Sequence, residues 1–212
     1  MADAVLAPTQ IDSARQSDRF DPVTIAMHWG ALLLLIVTFA AAWTFGRATD
    51  PATAERALLV HRSAGGLVWG LTLIRLGWKY RLGRAAPLPP TVGRFQRAIA
   101  RANQYGLYAL LVLQPVTGLL QSLFRGKPFP LLGFTVPALL ARDRRLTKVF
   151  HNVHEISAWA LLALIALHAS AALFHHFALR DDVLRAMLPR RRRAVDQDCG
   201  AAPGARRTSP FL

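Results

Sequence analysis

The chain of 212 residues has one cysteine, Cys199, in a Gly/Pro/Arg stretch near its end. A single thiol excludes a disulfide framework, an iron–sulfur cluster and covalent haem attachment within this chain. Acidic residues are also scarce, with 12 Asp and Glu against 26 Lys and Arg for a net charge of +14. There is no internal repeat, no phosphate-cradling glycine loop and no Ser/His/Asp arrangement to suggest hydrolysis. The longest apolar runs also lack the polar face, recurring every three or four residues, that a soluble bundle requires.

What the chain does have is apolar length: 53% of its residues are hydrophobic, and they fall in four blocks. These are Ile25–Phe45, Ser63–Trp78, Tyr105–Phe124 and Ile156–Leu179. Three approach or exceed the roughly 20 residues that cross a hydrocarbon core as a helix. The second reaches across if Arg75 and Lys79 snorkel toward the headgroups. The fold class expected is therefore an all-α membrane protein with a four-transmembrane-helix bundle. Arg15 and Arg19 precede the first block, as in a signal peptide, but its apolar run exceeds a signal core of roughly 7 to 15 residues and three more spans follow, so it reads as an anchor.

The basic excess speaks to topology before it speaks to nucleic acid. The leader, the stretch from Arg75 to Arg101 and the tail after Leu179 carry 17 of the 26 basic residues. Basic loops stay in the cytoplasm, which puts both termini inside and Gly46–Arg62 and Arg125–Val153 outside. The run Arg190–Arg193 reads as a topology signal against anionic lipid, with no nucleic-acid partner expected. Residues 1–20 form a polar cytoplasmic leader, 21–189 the membrane domain and 190–212 a basic, disordered cytoplasmic tail. Pro87, Pro89 and Pro90 break the inner loop, and Val92, Phe95 and Ile99 in TVGRFQRAIARA have the spacing of a short interfacial helix.

Chemistry then has to come from the histidines. On an ideal helix His154 and His168 lie about 21 Å apart along the axis and near one face. Alternating spans put His154 and His61 near the outer surface, and His168 and His28 toward the inner one. Polar side chains in lipid are costly and usually face the bundle interior or a cofactor. Two imidazoles on opposite sides of an iron give a six-coordinate b-type haem, whereas a closed zinc site gathers about four ligands in one place. Four histidines at two levels therefore favour two haems b over zinc, and over packing alone. Gly65 and Gly66, in HRSAGG, leave room for a flat ring and equally for close helix packing. Glu155 beside His154 either orients an imidazole or, more simply, answers a helix dipole.

The chain resembles the prokaryotic cytochrome b561 family of four-helix, two-haem membrane proteins. The resemblance runs from about Arg19 to Arg193 and lies in IAMHW, HRSAGG, LQPVTGLLQSLFRGKPFPLLGFTVP and HEISAWALLALIALHASAALFHHFALRDDVLRAMLPRRRR. It implies axial ligation of haem iron by His28, His61, His154 and His168, paired His28/His168 and His61/His154. It further implies a bacterial inner-membrane location. The branch it is most similar to, the bacterial superoxide oxidases, implies oxidation of superoxide at the periplasmic face and transfer of the electron through two haems to ubiquinone. In that branch a histidine of the HH pair lies by the quinone, here His175, although interfacial anchoring also accounts for such a residue. The alternative is a membrane electron carrier that serves a partner dehydrogenase or periplasmic cytochrome. Arg142, Arg144, Arg145 and Lys148 in the outer loop suit attraction of the superoxide anion, and equally contact with lipid headgroups. The longer leader and extended tail depart from the family and are candidate docking segments for a redox partner protein.

Overall fold

The computed structural model describes residues 20–81 and 93–189. Most of the leader, the inner-loop prolines, Val92, the run 190–193 and Cys199 lie outside the described residues. Four long helices dominate: α1 (Pro22–Arg47), α2 (Pro51–Arg81), α3 (Arg94–Phe124) and α4 (Arg144–Phe174). All four are long and apolar enough to cross a membrane, α4 together with the π-helical turn His175–Leu179 that continues it. A 3₁₀ turn, Arg185–Met187, follows. Helix α1 packs along α2 and α3 along α4, with α2 also touching α3.

Three of the few acids start helices. Asp21 accepts from the Thr24 amide at 2.9 Å ahead of Pro22, a residue pre-set for the first helical position. Asp50 accepts from the Thr53 amide at 2.8 Å, and the hydrogen bonds from Thr53 hold its carboxyl below the usual carboxylate range. Asp143 accepts from the Leu146 amide at 2.9 Å. Each capped helix then runs past the apolar block that marks it in sequence. Helices of 31 residues are about 46 Å long, well beyond a hydrocarbon core of about 30 Å.

This length corrects three expectations. The stretch Gly46–Arg62 is mostly the start of α2, and α4 begins at Arg144, ten residues before His154. The short interfacial helix expected over TVGRFQRAIARA is, from Arg94 onward, the start of α3. Hydropathy detects only the part of a helix that lipid must accept, whereas the backbone stays helical for as long as its hydrogen bonds are better made internally than with water. His61 and His154 each stand about 15 Å from the start of their helices rather than at the first turn.

The α3–α4 connection holds an element that the sequence reading assigned to loop. β1 (Phe129–Leu131) pairs antiparallel with β2 (Phe134–Val136), with Phe129 opposite Val136 and Leu131 opposite Phe134. Leu132 and Gly133 have φ of 51° and 83°, the positive pair of the hairpin turns that match strand twist. The hairpin lies on α2: Ser63 accepts from the Leu132 amide at 3.0 Å, Phe129 is buried, and the Arg62 guanidinium sits 5.1 Å from the Phe129 ring centre. Gly126 begins the connection with φ of 63°, and a Cβ there would come within 2.7 Å of the Arg142 backbone. The Asp143 amide donates to the Phe124 carbonyl at 3.0 Å, closing the segment on itself.

Two glycine substitutions separate strain from collision. Gly133→Ala meets open space and carries only the left-handed penalty, about 1 kcal/mol. Gly126→Ala carries the same penalty and must also displace the Arg142 backbone, for a loss of about 3 kcal/mol. Thermal midpoints in detergent are expected to fall clearly further for Gly126→Ala than for Gly133→Ala.

Candidate functional site

Helix α4 supplies one histidine to each of two facing pairs. His154 meets His61 of α2 with ring centres 6.0 Å apart and ring planes at 83°. His168 meets His28 of α1 at 6.1 Å and 66°. The residues that sequence arithmetic matched by depth thus stand side by side at two levels. The first level lies toward the end of the bundle that carries the β-hairpin, the second toward the end where α1 begins and α4 closes, the terminus end.

Whether these pairs suit a haem is a question of spacing and of tautomer. Imidazole–metal bonds of about 2 Å, with about 1 Å from each nitrogen to its ring centre, put two imidazoles on one ion with centres about 6 Å apart. Both pairs have that spacing. Among the described residues no group of three or more His, Cys, Asp or Glu side chains comes together as a metal-ligand set. Two ligands per level leave four positions for a porphyrin, the coordination of a b-type haem.

The tautomers at the hairpin-end pair are set by neighbouring helices. His61 Nδ1 lies 3.0 Å from the Thr38 carbonyl of α1, an oxygen that can only accept, so Nδ1 carries the proton. His154 Nδ1 lies 3.0 Å from the Gln114 carbonyl and 3.0 Å from the Thr117 hydroxyl, both on α3. Each ring therefore keeps Nε2 unprotonated, the form in which imidazole binds a metal. Gln114 is held in turn: its side-chain oxygen accepts from Ser157 at 2.8 Å, and Gln114, Thr117 and Ser157 are all buried. Pro115, next along α3, has no amide to give to the carbonyl four residues earlier. A Cβ on Gly118 would lie 3.1 Å from the His154 ring, so the missing side chain makes room for that imidazole.

The terminus-end pair differs in its electrostatics. The Arg75 guanidinium lies 3.4 Å from His28 Nδ1, a long contact in which only the guanidinium can donate, and it sets a permanent cation beside the ring. Arg75 and Lys79 also reach the Tyr108 ring of α3, at 5.8 and 5.2 Å. Arg75 therefore turns into the bundle instead of snorkelling as the sequence reading had it, because His28 and Tyr108 offer its charge partners there. Gly65 faces Thr38, and Gly66 faces Leu131 and Leu132 of the hairpin, contacts that close helix packing uses. Glu155 lies 3.7 Å from His151, one turn from His154.

His175 opens the π-helical turn that ends α4, a distortion that recurs at functional sites. Its Nδ1 lies 2.5 Å from Asp181 Oδ2, with both side chains mostly buried. Arg180 between them has φ of 53°, the left-handed cap that swings Asp181 back so that its amide reaches the His175 carbonyl at 3.2 Å. His176 turns its ring edge to Phe177 at 4.9 Å.

Sequence reasoning missed Thr38, Gln114, Thr117, Arg75 and Asp181. One signal was available for α3: Gln114, Thr117 and Gln121 are polar at helical spacing inside an apolar span, and they form the stripe against α4. At the hairpin end, the close of α3 and the start of α4 also frame an open cavity of about 500 Å³ lined by exposed basic side chains.

Known proteins share this chain's sequence over the same region. Residues 19–190 match the family described as prokaryotic cytochrome b561. The chain is 33% identical over 180 residues to Cytochrome b561 homolog 1 of Escherichia coli (strain K12), covering 82% of this chain and 99% of that protein. It is 31% identical over 173 residues to Cytochrome b561 homolog 2 of the same organism, covering 81% and 92%. To the Probable superoxide oxidase CybB of Yersinia pestis it is 27% identical over 178 residues, covering 82% and 98%. The chain belongs to the prokaryotic cytochrome b561 family and is a multi-pass membrane protein of the electron-carrying, b-haem-binding kind.

Proposed function

We propose that the chain is a dihaem superoxide:ubiquinone oxidoreductase, with superoxide oxidised at the periplasmic face and the electron passed through two haems to ubiquinone. In the balanced reaction two superoxide anions each lose one electron and leave as dioxygen, while one ubiquinone takes up two electrons and two protons. The observation that carries this reading is the pair of facing imidazoles at each of two levels, joined by one helix. Haem iron, when bound, supplies the one-electron chemistry; the protein's part is to hold, orient and shield.

His61 and His154 hold the outer iron, their Nδ1 protons anchored on Thr38 and Gln114. His28 and His168 hold the inner one, with the Arg75 cation favouring the reduced, less positive state beside it. The basic hairpin end raises the local concentration of an anionic substrate. At the terminus end His175 is positioned by Asp181 to hold a proton for a quinone oxygen, a carboxylate–imidazole arrangement suited to proton transfer. Both termini are cytoplasmic and the membrane is the bacterial inner one, in keeping with the excess of basic residues on the terminal side.

A second reading, an electron carrier between a partner protein and the quinone pool, is favoured by the names of the two Escherichia coli relatives, which specify a cytochrome b561 and no substrate. Stopped-flow mixing with superoxide separates the two. Under the first reading the purified protein is reduced directly, at a rate that falls as ionic strength rises; under the second, haem-replete protein reacts slowly until a partner is added.

The ligand sets are testable by stoichiometry. His168→Ala is expected to lower haem from two per chain to one, with the hairpin-end haem still reducible; two haems in that variant would refute the pairing. Thr117→Val removes one of the two groups on His154 Nδ1 and is expected to weaken retention of the hairpin-end haem about tenfold, read by haem loss to apomyoglobin. Arg75→Leu should keep both haems and shift the midpoint of the terminus-end haem to more negative potential in a redox titration.

A further inference from the structure

The cavity at the hairpin end has walls from three directions: the close of α3, the two ends of the α3–α4 connection, and the first two turns of α4. Five cations line it: Arg125, Lys127, Arg142, Arg144 and Lys148. No Asp or Glu is among the lining residues. Among the described residues, none of the five has a carboxylate within salt-bridge distance. Of the two nearest acids in sequence, Asp143 caps α4 and Glu155 pairs at 3.7 Å with His151, which also lines the cavity, so neither is paired with one of the five cations.

The backbone that carries the cluster is held in place. Phe124 and Phe150 stack with ring centres 5.6 Å apart and planes 1° from parallel, pinning the close of α3 to α4. The Gly126 turn lies against the Arg142 backbone, and Gln121 donates toward His151 Nδ1 at 3.3 Å across the cavity's inner wall. Five like charges kept together without counter-charges cost self-repulsion, which a polyvalent anion relieves. Guanidinium forks match the geometry of tetrahedral oxyanions, and lysines add point charges. A diatomic anion fills little of about 500 Å³ and carries one charge, whereas a phosphate carries more charge on several acceptor oxygens.

We propose that this cavity is a binding site for a phosphate group. The chemistry is shared by two sources, the headgroup of an anionic phospholipid and free inorganic phosphate. The proposal stands independently of the superoxide reading, since it concerns binding alone.

The test uses the full chain, haem-replete, in a non-ionic detergent at fixed ionic strength set with chloride. Isothermal titration calorimetry is run with inorganic phosphate in one arm and with a short-chain phosphatidylglycerol below its micelle concentration in the other, against the matching phosphatidylcholine. Saturable binding of phosphate supports a free-oxyanion site. Saturable binding of phosphatidylglycerol alone, without phosphatidylcholine binding, supports a headgroup site. The double substitution Arg125→Gln with Lys148→Gln, at two exposed side chains, is expected to weaken either by about tenfold or more. Arg47→Gln, a charge removed at the same end but over Trp43, should change affinity less than twofold. An unchanged haem spectrum and thermal midpoint show that the variants are folded. The proposal is overturned if neither ligand binds beyond chloride and phosphatidylcholine, or if the double variant binds as tightly as the parent.

Discussion

The contact on which the rest depends is the seat of His154 on α3. Its Nδ1 rests on the Gln114 carbonyl and the Thr117 hydroxyl, and Gln114 is itself held by Ser157 of α4. In a bilayer core an unsatisfied polar group is expensive, so these bonds, made between two helices, favour the packing that keeps them paired. They set the rotation and height of α4 against α3. Because α4 also carries His168, the same contact sets where the second imidazole meets His28.

The two levels are built by different means. At the hairpin end main-chain carbonyls orient both rings, a device that needs no charge and is insensitive to surface electrostatics. At the terminus end a guanidinium stands beside one ring, and Trp29 and Trp78 tie the edge of the bundle by donating to the Met187 carbonyl at 2.7 Å and to Asp21 at 3.2 Å. The few acids are spent on geometry: three cap helices and a fourth clasps His175. Of the other acids among the described residues, Asp182 pairs with Arg185 at 3.3 Å and Glu155 with His151 at 3.7 Å.

Much of this was legible from the order of residues alone. Spans follow from apolar length, and the matching of His28 with His168 and His61 with His154 follows from helical rise and alternating direction. What lay beyond reach depends on contacts between distant positions. Nothing local marks Thr38 as the acceptor for His61, 23 residues on, and nothing marks Arg75 as turning inward rather than toward headgroups. Helix ends were misplaced because hydropathy follows lipid and not backbone geometry. The strands were missed because three residues on each side of a turn, with a proline in one, give too short an alternation to read. The cationic cavity exists only once the close of α3 meets the start of α4.

Pro115 sits beside the carbonyl that seats His154. A rod with one rung missing bends most easily at the gap, so α3 behaves as two stiff segments joined at the depth of the hairpin-end imidazoles. The segment beyond the gap leads to the α3–α4 connection, and the segment before it carries Tyr108 beside Arg75 and Lys79. A strain applied at either rim of the bundle is therefore expected to bend α3 at this depth before it bends either stiffer segment.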